Sequence, residues 1–208
     1  MLSRNSIVTL VLWFLFSAVG GLSGFFATTK DPPVALGLAV VLPVALFVFY
    51  YLKRGKLYQQ LRELDLRFLV LPQTWRVMGL FFLVDLYRGL LPAGFALPAG
   101  LGDIAIGVTA PLVAYLIRSN SPHKQAVYVA WNVLGIIDLV LAVTLGILHS
   151  QSTFGILAGG TTTALMSVFP RNLVPTFLVP LFVILHIAAL SRFREVQQTG
   201  NRASAVTG

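Results

Sequence analysis

The stretch DLYRGLLPAGFALPAGLGD, residues 85–103, connects two strongly apolar segments and carries three ionisable side chains, Asp85, Arg88 and Asp103. Its prolines and glycines, with LPAG occurring twice, indicate a turn between two helices that each cross a membrane. An ionised side chain at membrane depth is costly, so each of the three is a candidate functional residue.

The composition of the whole chain agrees with a membrane location. Of its 208 residues, 57% are hydrophobic and 11% are charged, and the mean hydropathy is +0.84. A soluble domain of this length needs more polar surface. We therefore expect an all-α integral membrane protein, a bundle of six transmembrane helices with an amphipathic cytoplasmic helix between spans two and three.

The predicted spans are the six longest apolar segments. They cover residues 7–27, 34–52, 74–95, 97–117, 126–149 and 173–190. Together they form a single transmembrane domain, residues 1–193, followed by a polar tail, residues 194–208, that we expect to be disordered. Residues 153–169 are either a re-entrant element or a seventh span. The first span also fits a cleavable signal peptide.

The distribution of Lys and Arg orients these spans. With six spans, twelve of the 15 basic residues fall on one side, Lys30 and Arg171 fall on the other, and Arg88 remains in the membrane. Because cytoplasmic loops are the basic ones, we expect both termini in the cytoplasm, in a plasma membrane or a bacterial inner membrane. The net charge of +8 is thus a topology signal, and no nucleic-acid partner is expected.

A basic amphipathic segment separates spans two and three. Its apolar residues recur at spacings of four and three and form one predicted helical stripe: Leu57, Leu61, Leu64, Phe68 and Leu71. It also carries five basic residues: Lys53, Arg54, Lys56, Arg62 and Arg67. We expect this helix to lie on the surface of the lipid bilayer, with docking of a protein partner as the alternative role.

Three acidic residues are predicted to lie at membrane depth. Asp138 is about 18 Å from the inner end of span five, near the bilayer centre, and Asp85 is central to slightly outer. Asp103 and Arg88 are expected nearer the outer surface. Because small residues share the helical faces of Asp103 and Asp138, both acids should face the interior of the bundle.

Each acid also has a structural interpretation. Asp85 can be the counter-ion of Arg88, three residues later on the same helix, and Arg88 can instead reach Asp103 across the turn. Asp103 can be the N-cap of span four. Asp138 has no basic residue at its depth in spans four to six. It must therefore be protonated, hydrogen-bonded, paired with Arg88 or bound to a cation.

The chain carries no catalytic signature that we recognise. It lacks the H-E-x-x-H, G-x-S-x-G, P-loop and dinucleotide-binding motifs, and it has no cysteine. His149 and His186 differ in depth by about 20 Å, too far to share a metal, and His186 is expected to be a hydrogen-bonded core residue. No cofactor is predicted. An intramembrane enzyme or a lipid-binding protein ranks below the two functions that follow.

The leading hypothesis is an interior polar cluster of Asp85, Arg88, Asp103 and Asp138 that binds or moves protons or small cations. In it, Asp138 is the carrier, Asp103 is the outer access group, and Arg88 holds Asp85 ionised. The alternative is a structural or accessory membrane subunit whose buried charges fix helix packing. Its basic helix would then dock a protein partner, and self-association is also open.

Overall fold

The computed structural model describes residues 3–27, 33–119 and 122–207, with side chains up to residue 193. Within these ranges the chain is helical, and six helical segments are long and apolar enough to cross a membrane. They are Arg4–Leu22, Val34–Leu52, Leu66–Tyr87, Ala93–Leu116, Lys124–Leu148 and Val174–Phe193. The prediction of six such helices is confirmed for the described residues, and their length and composition indicate a membrane protein. Lys30, predicted in an outer loop, lies outside the described residues.

The described residues form eight α-helices, two 3₁₀-helices and one π-helical turn. In chain order they are α1 (Arg4–Leu22), α2 (Val34–Leu52), α3 (Lys56–Glu63), α4 (Leu66–Val70), the 3₁₀-helix Leu71–Gly79, α5 (Leu80–Tyr87), α6 (Ala93–Leu116), α7 (Lys124–Leu148), the 3₁₀-helix Thr163–Ser167, the π-helical turn Val174–Leu178 and α8 (Val179–Thr207). We call the end of the bundle with the N-terminus of α6 and the C-terminus of α7 the upper end. It is the end predicted to face outward.

The third span begins eight residues before its predicted start, at Leu66 and not at residue 74. It ends at Tyr87 because the chain reverses at Gly89, whose φ of +71° is a backbone conformation that favours glycine. The amide of Leu90 then donates to the carbonyl oxygen of Asp85 at 2.8 Å. The predicted bounds of residues 74–95 are therefore wrong, because Phe68 and Leu71 were assigned to the amphipathic helix and the polar Gln73 was not expected inside a span.

The proline- and glycine-rich stretch is mostly helix, not turn. Helix α6 begins at Ala93, after the N-cap Pro92, and contains Pro98. Asp103 consequently lies ten residues inside α6, so its prediction as an N-cap is wrong. It also lies deeper than the position near the outer surface that the sequence predicted.

One face of the third span is buried along its whole length. The buried residues recur every three positions: Val70, Gln73, Arg76, Gly79, Phe82 and Asp85. In a 3₁₀-helix, residues three apart lie directly above one another, so the segment Leu71–Gly79 keeps this face aligned with its neighbours. Two charged side chains and one amide are thereby directed into the bundle.

The 3₁₀ segment and α6 approach each other at glycines. A Cβ on Gly79 would lie 2.6 Å from the Cβ of Asp103 and 2.9 Å from the carbonyl oxygen of Gly100. A Cβ on Gly107 would lie 2.6 Å from the amide nitrogen of Val77. Only glycine fits at such backbone distances. This close packing brings the polar side chains of the two helices together.

The predicted single amphipathic helix is in fact two helices. Helix α3 ends at Glu63, and Leu64 and Asp65 are extended, with ψ 138° and 134°. Asp65 then caps α4 by accepting the amide of Arg67 at 2.9 Å. The leucines of α3 pack against the protein core, whereas Phe68 is 68% exposed. The stripe is therefore interrupted at Leu64 and Asp65, just before α4, which is the first part of the third span.

Helix α1 is fastened to the start of the last span. Pro180 has no amide hydrogen, so it cannot donate to the carbonyl oxygen of Thr176 four residues earlier. The indole of Trp13 donates to this oxygen at 3.0 Å, and the hydroxyl of Ser17 donates at 3.3 Å. The side-chain amide of Asn172 in turn donates to the carbonyl oxygen of Ser17 at 2.7 Å. Two side chains of α1 therefore share the carbonyl oxygen of Thr176 as their acceptor.

The structure bears on two predictions for the regions around α8. Residues 153–169 contain the short 3₁₀-helix Thr163–Ser167 and no candidate span, and Thr163 fixes this loop by donating to the Gly146 carbonyl oxygen at 2.6 Å. Helix α8 continues to Thr207, through the tail that was predicted to be disordered. No proline follows residue 191 to stop the helix.

Candidate functional site

The site is centred on Arg76, whose side chain is fully buried. Its Nε donates to Oδ1 of Asp103 on α6 at 2.7 Å. Its Nη2 donates to Oδ2 of Asp138 on α7. Two carboxylates from two helices therefore share one guanidinium, and we call these three residues the Arg76 cluster.

The other side of Arg76 contacts α7 and α8. Nη1 donates to the carbonyl oxygen of Gly135 at 3.3 Å and to Nε2 of His186 at 3.3 Å. Because a guanidinium has no acceptor, Nε2 of His186 is the acceptor and Nδ1 carries the hydrogen. That hydrogen is donated to Oδ1 of Asn132 at 2.9 Å, and Asn132 in turn donates to the carbonyl oxygen of Tyr128. His186 is thus the hydrogen-bonded core histidine that the sequence predicted.

Two glycines provide the space that the cluster occupies. A Cβ on Gly102 of α6 would overlap the carboxylate of Asp138, and a Cβ on Gly135 of α7 would overlap the ring of His186. The small residues beside the two acids therefore permit side-chain contact between helices as well as close helix packing.

All three members of the cluster lie at one level. Asp103 is ten residues after Ala93, the first residue of α6, and Asp138 is ten residues before Leu148, the last residue of α7. At ~1.5 Å per residue, each lies about 15 Å below the upper end. This is about half of the ~30 Å hydrocarbon thickness of a bilayer. In a bilayer crossed by these helices, the cluster would lie where ionised groups are most costly.

The charges of the cluster do not balance. With both carboxylates ionised, Arg76, Asp103 and Asp138 carry one net negative charge, and His186 is neutral in the tautomer that its hydrogen bonds require. An uncompensated charge in this environment costs several kcal/mol, by order of magnitude. One proton or one monovalent cation restores neutrality.

The two carboxylates are not completely enclosed. The side chains of Asp103 and Asp138 are each 14% exposed, and Asp103 lines a cavity of about 530 Å³ that extends to the upper end. The cavity walls come from α2, α5, α6, α7 and the start of α8 and are mainly apolar. Its mouth carries hydroxyl and amide side chains: Ser150, Gln151, Ser152, Thr163 and Ser167.

Asp85 belongs to a second, separate ion pair. Its carboxylate accepts Nε of Arg171 at 2.6 Å and Nη2 at 3.0 Å. The residue Asp85 is 1% exposed, and the side chain of Arg171 is 25% exposed. The hydrogen bond to Asp85 raises the pKa of the Arg171 guanidinium above its usual value. The pair ties the upper end of α5 to the segment before α8.

All three predicted pairings of Arg88, with Asp85, Asp103 or Asp138, are wrong. Arg88 is the exposed residue that ends α5, and the carboxylate of Asp85 is bonded to Arg171. Asp103 and Asp138 are bonded to Arg76, which the sequence analysis counted among the twelve basic residues on the cytoplasmic side. Of the four predicted cluster residues, the structure brings Asp103 and Asp138 together and places the other two elsewhere.

Sequence reasoning missed Arg76 and Arg171 as partners of the acids. Arg76 had a signal: it follows Val70 and Gln73 and precedes Gly79 at spacings of three, with apolar residues between. Such a pattern indicates one buried face. Arg171 had no comparable signal, because its pairing with Asp85 spans 86 positions of sequence.

The basic residues beside α3 form an exposed group. Lys53, Arg54, Lys56 and Arg62 are exposed, while Arg67 is partly buried and pairs with Asp65 at 2.6 Å. In residues 3–27, 33–119 and 122–193, no three His, Cys, Asp or Glu side chains are grouped to hold a metal ion.

The fold and the site define a class: a helical membrane protein of six candidate spans with a buried arginine shared by two carboxylates. The chain belongs to the family of the domain of unknown function DUF8737, whose model matches residues 33–194. The match covers α2 to α7 and α8 as far as residue 194, and it leaves out α1. No curated protein matches the chain, and no solved structure matches it.

Proposed function

We propose that the protein binds and moves protons or small monovalent cations through the Arg76 cluster. The observation that supports this function most directly is the ratio of two carboxylates to one guanidinium at half depth. A purely structural ion pair needs one acid for one base. The second carboxylate gives the cluster a place for one exchangeable positive charge.

The geometry favours different roles for the two acids. Asp103 lines the cavity and is the access group from the upper end. Asp138, which accepts from the Nη2 of the same guanidinium, is the carrier. Arg76 takes over the counter-ion role that the sequence assigned to Arg88, and it does so for both acids. Transfer of the proton or cation from Asp103 to Asp138 leaves Asp103 ionised and paired with Arg76, so the net charge of the cluster is unchanged by the transfer.

We also propose that both termini face the cytoplasm, in a plasma membrane or bacterial inner membrane. With Arg76 inside the bundle, eleven of the 15 Lys and Arg residues lie at the lower end, and of the described residues Arg88 and Arg171 lie at the upper end. This asymmetry supports the orientation. It also places the exposed basic residues of α3 against the anionic cytoplasmic leaflet.

The test is proton and monovalent-cation flux in proteoliposomes that contain equal amounts of folded protein. Asp138→Asn should abolish flux, because Asn cannot carry the exchangeable charge. Asp65→Asn is the matched control, since it removes an exposed carboxylate outside the cluster and Asn remains a good N-cap. Absence of flux in the wild type, or equal flux in Asp138→Asn, would overturn the proposal.

A second candidate function is supported by the hydrogen bonds of Arg76. They reach α6, α7 and α8 at once, so the arginine can serve to hold three helices in register. In that case the protein is a structural or accessory subunit, and the basic residues of α3 dock its partner. Asp138→Asn would then reduce stability or release a co-purified partner, and no flux would be lost.

A further inference from the structure

We propose that the cavity above Asp103 is a binding site for hydrophobic monocations, which compete there with the proton. This inference rests on the proposed function, because it names the substrate class of the same charge-accepting site. Its first support is the shape and lining of the cavity. At about 530 Å³, it falls in the range of ~300–1,000 Å³ that is typical of small-molecule sites.

The charge of the cavity floor selects a cation. Among the described residues that line the cavity, Asp103 is the one ionisable residue. Behind it lie Arg76 and Asp138, and His186 is reached only through Arg76. The net charge of this group is −1 with both acids ionised, so a single positive charge on a ligand neutralises it. An anion would meet a carboxylate in an apolar environment and would be rejected.

The walls select an apolar body around that charge. Helix α2 contributes Val34, Gly37 and Val41, and α7 contributes Leu139 and Val143. Such walls give a strongly hydrated ion such as Na⁺ no ligands to replace its water. They instead favour a cation whose charge is surrounded by hydrocarbon.

Aromatic rings add a second attraction for cations. Phe26, Phe82, Phe95 and Phe154 all line the cavity. The faces of aromatic rings attract cations, and they do so most strongly for weakly hydrated ones. Phe82 and Phe95 contact each other with centroids 5.5 Å apart and form one continuous aromatic surface.

The experiment uses two probes of the same shape and opposite charge, tetraphenylphosphonium and tetraphenylborate. Binding to the purified full-length protein in detergent is measured by equilibrium dialysis over a range of pH. We expect saturable binding of tetraphenylphosphonium that weakens as the pH is lowered, and no saturable binding of tetraphenylborate. Asp103→Asn should lower the affinity for tetraphenylphosphonium about tenfold or more, because it removes the charge closest to the bound cation. Asp65→Asn should leave binding unchanged.

A second variant tests the cavity independently of the cluster. Gly146 lines the cavity, and its added Cβ would lie 3.6 Å from Phe95, an ordinary contact. Gly146→Leu should therefore fold, occupy the cavity and abolish tetraphenylphosphonium binding while the carboxylates remain. Equal binding of both probes, or cation binding that survives Asp103→Asn or Gly146→Leu, would overturn the inference.

The outcomes separate this inference from the proposed function. Asp138-dependent proton flux without tetraphenylphosphonium binding would overturn the cavity assignment alone. Saturable binding that depends on Asp103, in a protein without any flux, would overturn transport and retain the cation site.

Discussion

The unbalanced charge of the Arg76 cluster predicts an unusual response to neutralising its acids. Asn at position 138 or at position 103 keeps an oxygen that can accept from Arg76, and either change removes the net charge of −1. We therefore expect each single variant, Asp103→Asn or Asp138→Asn, to change the free energy of unfolding by no more than about 1 kcal/mol. The double variant leaves a fully buried guanidinium unpaired and should lose roughly 3–5 kcal/mol.

The expected non-additivity is thus at least about 1 kcal/mol, and typically more, which a double-mutant cycle resolves. The assay is reversible denaturation of the purified protein in mixed micelles, followed by circular dichroism and by tryptophan fluorescence. Arg76→Gln in the double-variant background is the control, because it removes the unpaired charge and should restore part of the stability. Additive losses of roughly 3 kcal/mol for each single variant would show two independent salt bridges and refute the reasoning.

Two further predictions concern the upper end and α1. Arg171→Gln should lower the free energy of unfolding by about 2 kcal/mol, which is less than for a fully buried pair because Arg171 is a quarter exposed. Arg88→Gln should change the free energy of unfolding by less than about 0.5 kcal/mol. Equal effects of the two variants in thermal unfolding would contradict the assignment of Arg171 as the partner of Asp85. Trp13→Phe should cost roughly 0.6 kcal/mol, since the carbonyl oxygen of Thr176 loses one of its two donors. An unchanged melting temperature would show that α1 is not held by this contact.

The sequence predicted well those features that depend on apolar length. The second span has the predicted bounds, Val34–Leu52, because nearly every side chain in it is apolar. The bounds of the third span failed for the opposite reason. Gln73 and Arg76 lower its hydropathy, yet both are buried and bonded inside the protein. A hydropathy scale treats such residues as loop residues, since it does not record what they contact.

The sequence predicted which way the acids of the candidate site point from their own helices, but it did not predict the contacts between helices. The small-residue faces of Asp103 and Asp138 indicated that both acids point inward, and the structure places them there. Their shared partner depends on how the 3₁₀ segment packs against α6 at Gly79, which is a tertiary property. The pairing of Asp85 with Arg171 likewise depends on a contact between distant parts of the chain.

The central claim is that the two carboxylates of the Arg76 cluster hold one exchangeable proton or monovalent cation. Infrared spectroscopy of the carboxyl C=O stretch tests it directly, in buffer free of monovalent metal ions and hydrophobic cations. The account predicts a single protonated-carboxyl band that disappears when tetraphenylphosphonium is added and that is absent from Asp138→Asn. A wild-type protein without such a band, or a band that persists in both Asp103→Asn and Asp138→Asn, would contradict it.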